Sequence, residues 1–177
     1  MTWLLTHLPP RLVWSVYVGV NGFATIGLLG LLALVTGSPF VFPSLGPTAY
    51  LFFFSPLAEA SSPRNAILGH SIGLVCGYAA FTVTSGFGPA FAAGGAVHFP
   101  RVMAAALALS TTGALMAFLR ASHPPAGATT LIVALGIISR PRELVVIEIA
   151  VILLTVQAFA INRIAGVRYP VWRTAAT

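Results

Sequence analysis

The sequence predicts an all-α membrane protein: four full transmembrane helices plus two Pro-broken half-helices, arranged in two repeats. Three observations predict it. Only 7% of the 177 residues are charged and 58% are hydrophobic, whereas a soluble domain carries about 25% charged residues. Apolar runs recur at the length that a ~30 Å hydrocarbon core requires. Two stretches rich in Pro, Gly, Ser and Thr interrupt that pattern at corresponding places in the two halves. The charges are nine arginines and three glutamates, with no Lys or Asp. These arginines sit at the ends of apolar runs, so they read as flanks of membrane spans rather than as a nucleic-acid-binding face.

Taken in order, Met1 to Pro10, with Trp3 and then Pro9-Pro10, reads as an interfacial segment, and no cleavable signal peptide is expected from it. The first span runs from about Leu12 to Val35. It holds Gly19, Gly22, Gly27 and Gly30, small residues that permit close helix contact. Asn21 is its one strongly polar side chain and is expected to hydrogen-bond another helix. Pro39, Pro43 and Pro47 then deny the chain a regular helix, since each lacks an N–H. A half-helix is predicted from Pro47 to about Ser55. Pro63-Arg64-Asn65 opens the second span, Ala66 to Thr84, whose Gly69, Gly73 and Gly77 form a flat face for close packing, within the chain or between subunits. After a glycine-rich stretch, the third span is Val102 to Leu119. Ser122-His123-Pro124-Pro125-Ala126-Gly127-Ala128-Thr129-Thr130 breaks the helix again, because proline also biases the residue before it toward extended geometry. A second half-helix is predicted from Ala126 to Ile138. Pro141-Arg142-Glu143 opens the fourth span, Leu144 to Ile161.

The two halves match. Phe42 to Thr48 lies against His123 to Thr129 at an offset of 81 residues, and Pro63-Arg64-Asn65 against Pro141-Arg142-Glu143 at 78. Repeat one is therefore about 12–85, a Gly-rich linker 86–100, and repeat two about 101–163, within a single membrane domain. If the broken segments return to the face they left, the repeats are parallel and the arginines divide five against four. If each completes a crossing, the repeats are inverted and the termini side holds Arg11, Arg64, Arg120, Arg163, Arg168 and Arg173, six against three. The positive-inside bias then favours inversion, with cytoplasmic termini.

Paired broken segments are the best sequence pointer to a binding site in a membrane carrier. A helix N-terminus at membrane depth presents free N–H donors and a partial positive charge, which attract an anion. The candidate substrate-binding residues are Ser44, Gly46, Thr48, His123, Gly127, Thr129 and Thr130, with the glycines allowing a solute to reach the backbone. Thr129 and Thr130 also read as N-terminal caps, and His123 as a tie across the broken backbone. Arg64 and Arg142, equivalent in the two halves, form an anion funnel or flank the spans. His70 and Glu148, also equivalent, form a proton relay or are satisfied locally by a carbonyl and an arginine. No H-E-x-x-H or G-x-S-x-G spacing occurs, so no enzyme, cofactor or metal is expected. The lone Cys76 excludes an intrachain disulfide and reads as a packing residue.

These motifs carry a resemblance. Ser122 to Ile132 (SHPPAGATTLI) resembles the signature of the HPP family of integral membrane proteins, named for its His-Pro-Pro triplet. Ser44 to Ala49, and Pro63-Arg64-Asn65 followed by Gly69-His70, are similar to that family in the same order, so the likeness covers about Pro39 to Ile161. Pro47 departs from the family's usual Ala but suits a helix first turn. The resemblance implies four membrane spans and, because plant chloroplast and cyanobacterial members are linked to nitrite transport, a small-anion transporter with nitrite as the leading substrate. A bacterial plasma (inner) membrane location, a lipid bilayer environment and a homo-oligomer are expected, with no nucleic-acid partner. The alternatives are a non-transporting membrane scaffold using the Gly69-Gly73-Gly77 face, and a passive channel for another small solute.

Overall fold

A computed structural model describes residues 6–85 and 98–173. The described chain is helical, with no strand: α1 Pro10–Thr36, α2 Leu45–Phe54, a 3-10 turn Glu59–Ser61, α3 Pro63–Ser85, α4 Phe99–Phe118, α5 Ala126–Ala134 and α6 Pro141–Ile164. Four of these helices, α1, α3, α4 and α6, are long and apolar enough to cross a membrane. Each carries a proline in its first turn, at residues 10, 63, 100 and 141. There the missing N–H costs nothing and the fixed φ suits the helix. The Gly-rich linker falls largely on residues 86–97, outside the described residues, as do residues 1–5 of the expected interfacial segment.

Polarity is distributed for a lipid solvent. Phe23, Leu34 and Val35 are at least 80% exposed, whereas Thr25, Ser44, Thr48, Asn65, His70, His123, Thr129 and Asn162 are buried. Hydrocarbon offers no hydrogen bonds, so polar groups turn inward and find each other.

The short helices differ from expectation at their boundaries. α2 starts at Leu45, two residues before Pro47. α5 stops at Ala134 rather than Ile138, because the chain turns at Gly136 with φ 79°. Neither Ser44 nor Pro125 makes a side-chain cap, and Thr129 and Thr130 lie beyond the capping position. Asn21 corrects another expectation: its amide donates to Tyr17 O of its own helix at 2.8 Å. The helix-to-helix bond is made one turn earlier, where Tyr17 Oη donates to Asn162 Oδ1 at 2.8 Å. Asn162 in turn donates to Phe52 O at 3.1 Å, so α1, α2 and α6 are tied at one level.

Contacts at the helix ends give each element a direction. Trp14 near the start of α1 shares a pocket with Phe54 to Ala58 and with Ala165 to Arg168. Arg64 N donates to Trp172 O, and its guanidinium donates to Leu119 O and Arg120 O. The start of α1, end of α2, start of α3, end of α4 and end of α6 therefore share one end, here the near end. At the far end Thr36 to Pro39 meet Arg140 and Arg142, and Arg101 donates to Thr84 Oγ1 and O. Each broken segment thus leads from one end of the bundle to the other.

The glycine stripe decides the packing. A Cβ on Gly69 would lie 2.8 Å from His123 Cβ; on Gly73, 2.8 Å from Thr130 Oγ1 and 2.9 Å from Ala126 O; on Gly77, 2.8 Å from Thr130 O. Contacts advancing together along both chains mean that α5 runs parallel to α3, backbone against backbone. The flat face is thus used inside the chain. At the 78-residue offset, α6 carries Ile147, Val151 and Thr155 instead, all buried. We expect Gly73→Ala to destabilise the protein by about 1–3 kcal/mol through overpacking. Gly27→Ala, whose Cβ meets nothing within 4 Å, is the control that leaves thermal unfolding in detergent unchanged.

Candidate functional site

The two breaks bring their polar residues to one place. The Pro39–Pro43 stretch leads inward from the far end to Ser44, and α2 continues from there to the near end. The Ser122–Pro125 break leads inward from the near end, held by Asn65 Nδ2 donating to Ser122 O at 3.3 Å. Ser44 meets Thr129, and Thr48 meets His123. These pairs run in opposite order, so the first turns of α2 and α5 lie antiparallel beside each other.

Between them is a continuous hydrogen-bonded network. Ser44 Oγ lies 2.6 Å from Thr129 Oγ1, and Thr129 Oγ1 lies 2.7 Å from His70 Nδ1. His70 Nε2 lies 3.0 Å from Thr48 Oγ1, which is 3.2 Å from His123 Nε2. His123 Nδ1 lies 2.6 Å from Ala60 O. All five side chains have zero exposure. A carbonyl only accepts, so His123 carries its proton on Nδ1 and presents Nε2 to Thr48. Thr48 and Thr129, equated by the 81-residue offset, bond opposite nitrogens of the one His70 ring. The two rings are 5.0 Å apart, with Phe42 edge-on to His70 and Phe52 against His123. His70 is seven residues into α3, about 10 Å from the near end.

Other candidates lie elsewhere. Gly46 is exposed, and Gly127 is half-buried with a Cβ position facing Leu109 rather than the network. The amides of Ala126, Gly127 and Ala128 bond the carbonyls of His123, Pro124 and Pro125. Three of the donors expected to be free at this helix start are therefore occupied, because a tight 3-10 turn closes on itself. Thr130 turns to Thr112 on α4, 3.1 Å away, and to Ala126 O. Arg64 caps the end of α4, beside Arg120 at φ 49° and with Asn65 Oδ1 as a third partner. A cation suits that helix end. Arg142 is exposed at the far end in a pocket of about 300 Å³ with Arg140 and Glu143.

His70 and Glu148 are not joined. Glu148 Oε1 accepts from Ser71 Oγ at 2.9 Å, while its Oε2 is buried with no partner among the described residues. Ser71 follows His70 by one residue and so points about 100° away around α3. The sequence left His70 and Glu148 between a relay and local satisfaction by a carbonyl and an arginine; in the fold His70 lies instead between the hydroxyls of Thr48 and Thr129, and Glu148 accepts from Ser71. No local signal marks contacts 22 and 59 residues apart.

The comparisons with known proteins fit this description. The profile of the HPP transmembrane region matches residues 7–170. A transmembrane protein of Dictyostelium discoideum is 30% identical over 137 residues, which cover 73% of this chain and 44% of that protein. The chain thus spans less than half the length of that relative. No solved structure matches. With its four apolar spans and a family profile that covers nearly its whole length, this integral membrane protein belongs to the HPP transmembrane family.

Proposed function

We propose that this protein transports a small monovalent anion, nitrite by preference, across a bilayer, and that the network between α2 and α5 holds it. The observation that carries this reading is the burial of three hydroxyls and two imidazoles between the two short helices with, among the described residues, no carboxylate bonded to any of them. Such a set is rich in donors and free of fixed charge. An anion entering between the first turns exchanges bonds within the network for bonds to itself. Donors that carry no fixed charge hold it weakly enough for release, which conduction requires. The occupied first-turn amides shift the binding role from backbone to side chains, so Ser44, Thr48, His70 and Thr129 are its donors and His123 Nε2 holds Thr48 in place, whereas Gly46, Gly127 and Thr130 shape the surrounding helices.

The two halves are read as inverted repeats, 12–85 and 101–163, because each element of the second runs opposite to its counterpart. Six arginines then flank the near end and three the far end, which supports a bacterial inner membrane with cytoplasmic termini. Arg142 and Arg140 make the far-end pocket a place for anions to collect. A homo-oligomer in the bilayer is the expected assembly, and neither an enzymatic reaction nor a cofactor is part of this reading. The scaffold alternative loses its main support, since the glycine face packs on α5.

Proteoliposomes containing the protein are expected to take up nitrite faster than empty vesicles, and equal rates would refute transport. Thr129→Val and His123→Gln preserve shape and should each slow uptake at least tenfold; full activity in both would remove the network from the mechanism. Thr48→Val leaves two ring nitrogens without their shared partner. It should also cost about 1–3 kcal/mol of stability, read by thermal unfolding, with Thr48→Ser restoring most of it.

A further inference from the structure

The network is one proton short of its own geometry. Six contacts join its members: His123 Nδ1 to Ala60 O, His123 Nε2 to Thr48, Thr48 Oγ1 to Ser44 O at 2.9 Å, Thr48 to His70 Nε2, His70 Nδ1 to Thr129, and Thr129 to Ser44 Oγ. Each needs one proton. With both imidazoles neutral, the five side chains supply five. Thr48 then has a single proton for both Ser44 O and His123 Nε2. One more proton, on His123 Nε2, satisfies every contact. Thr48 would accept an N–H from each ring with its two lone pairs and donate to Ser44 O. His70 Nδ1 would accept from Thr129, which accepts from Ser44.

We propose that the His70–His123 pair takes up one proton with each anion, so that the loaded site is electrically neutral and transport is proton-coupled. This rests on the anion-transport reading above. An imidazolium alone at this depth carries a large desolvation cost, which an anion beside it offsets. A second proton would place two like charges on rings whose centroids are 5.0 Å apart, so uptake stops at one. The proton comes from water on the side of loading and returns to water on the side of release, and only an N–H bond forms and breaks. Titratable or charged groups on the surrounding elements include Tyr50 on α2, Glu59 beside Ala60, Arg64, Cys76 and Tyr78 on α3, Arg120, Tyr169 bonded to Ser61, and Glu148 bonded to Ser71. Among the described residues none of these bonds either imidazole.

The test uses the full chain in proteoliposomes, with nitrite as the probe and the flux of empty vesicles subtracted. With the membrane voltage clamped at zero, an acid-outside gradient should raise accumulation about tenfold per pH unit, the value for one-to-one coupling. A change of voltage at equal pH should leave the rate unchanged. Voltage-driven uptake insensitive to the pH gradient would overturn proton coupling and leave anion transport standing. No uptake above empty vesicles would sink both. A second readout needs no flux: in protein carrying ¹⁵N-histidine, saturation with nitrite at fixed pH should bring one buried ring to the doubly protonated shift. Rings unchanged at saturation would overturn the proposal.

Discussion

The close approach of α3 to α5 at Gly69, Gly73 and Gly77 is the contact on which the rest of the interior depends. In a bilayer, apolar faces gain nothing by leaving lipid for each other, so helices associate through close packing and interhelical hydrogen bonds. Three glycines one turn apart remove the side chains that would hold α5 away. Removing them places His123 beside Gly69 and brings Thr129 within reach of His70 on the same helix. With Ile147 and Val151 in the equivalent rows of α6, α2 has no such flat bed and is held by the Asn162 bond to Phe52 O instead.

The second consequence is how the broken backbone is satisfied. Hydrocarbon does not hydrate an interrupted helix, so each freed group needs an internal partner. His123 covers Ala60 O, Asn65 covers Ser122 O, and Arg64 covers the carbonyls that end α4. Such groups belong to the architecture of the breaks. The hydroxyls and ring nitrogens between the two first turns bond chiefly one another, and side chains can exchange such partners without unwinding a helix. His123 belongs to both sets, its Nδ1–H a cap on Ala60 O and its Nε2 part of the network, and the proposed transport rests on the exchangeable members.

Family membership fits the same picture from another direction, since the profile covers both breaks and all four spans. The Dictyostelium relative is described only as a transmembrane protein, so the anion reading stands on the chemistry of the network itself.

Composition, run length and proline placement determined the all-α membrane class, the four spans and the two interruptions, because these follow from local rules of helix length and backbone donors. Ser44, Thr48, His123 and Thr129 were legible for the same reason: polar residues beside a break in an apolar run have few places to go. Only the tertiary structure decided how they meet. His70 joined them rather than Glu148, Thr130 turned to Thr112, Arg64 became a cap, and Gly127 faced Leu109. Those outcomes depend on the rotation of each helix about its own axis. That rotation is set by which neighbour packs closest, and a linear pattern of residues does not record it.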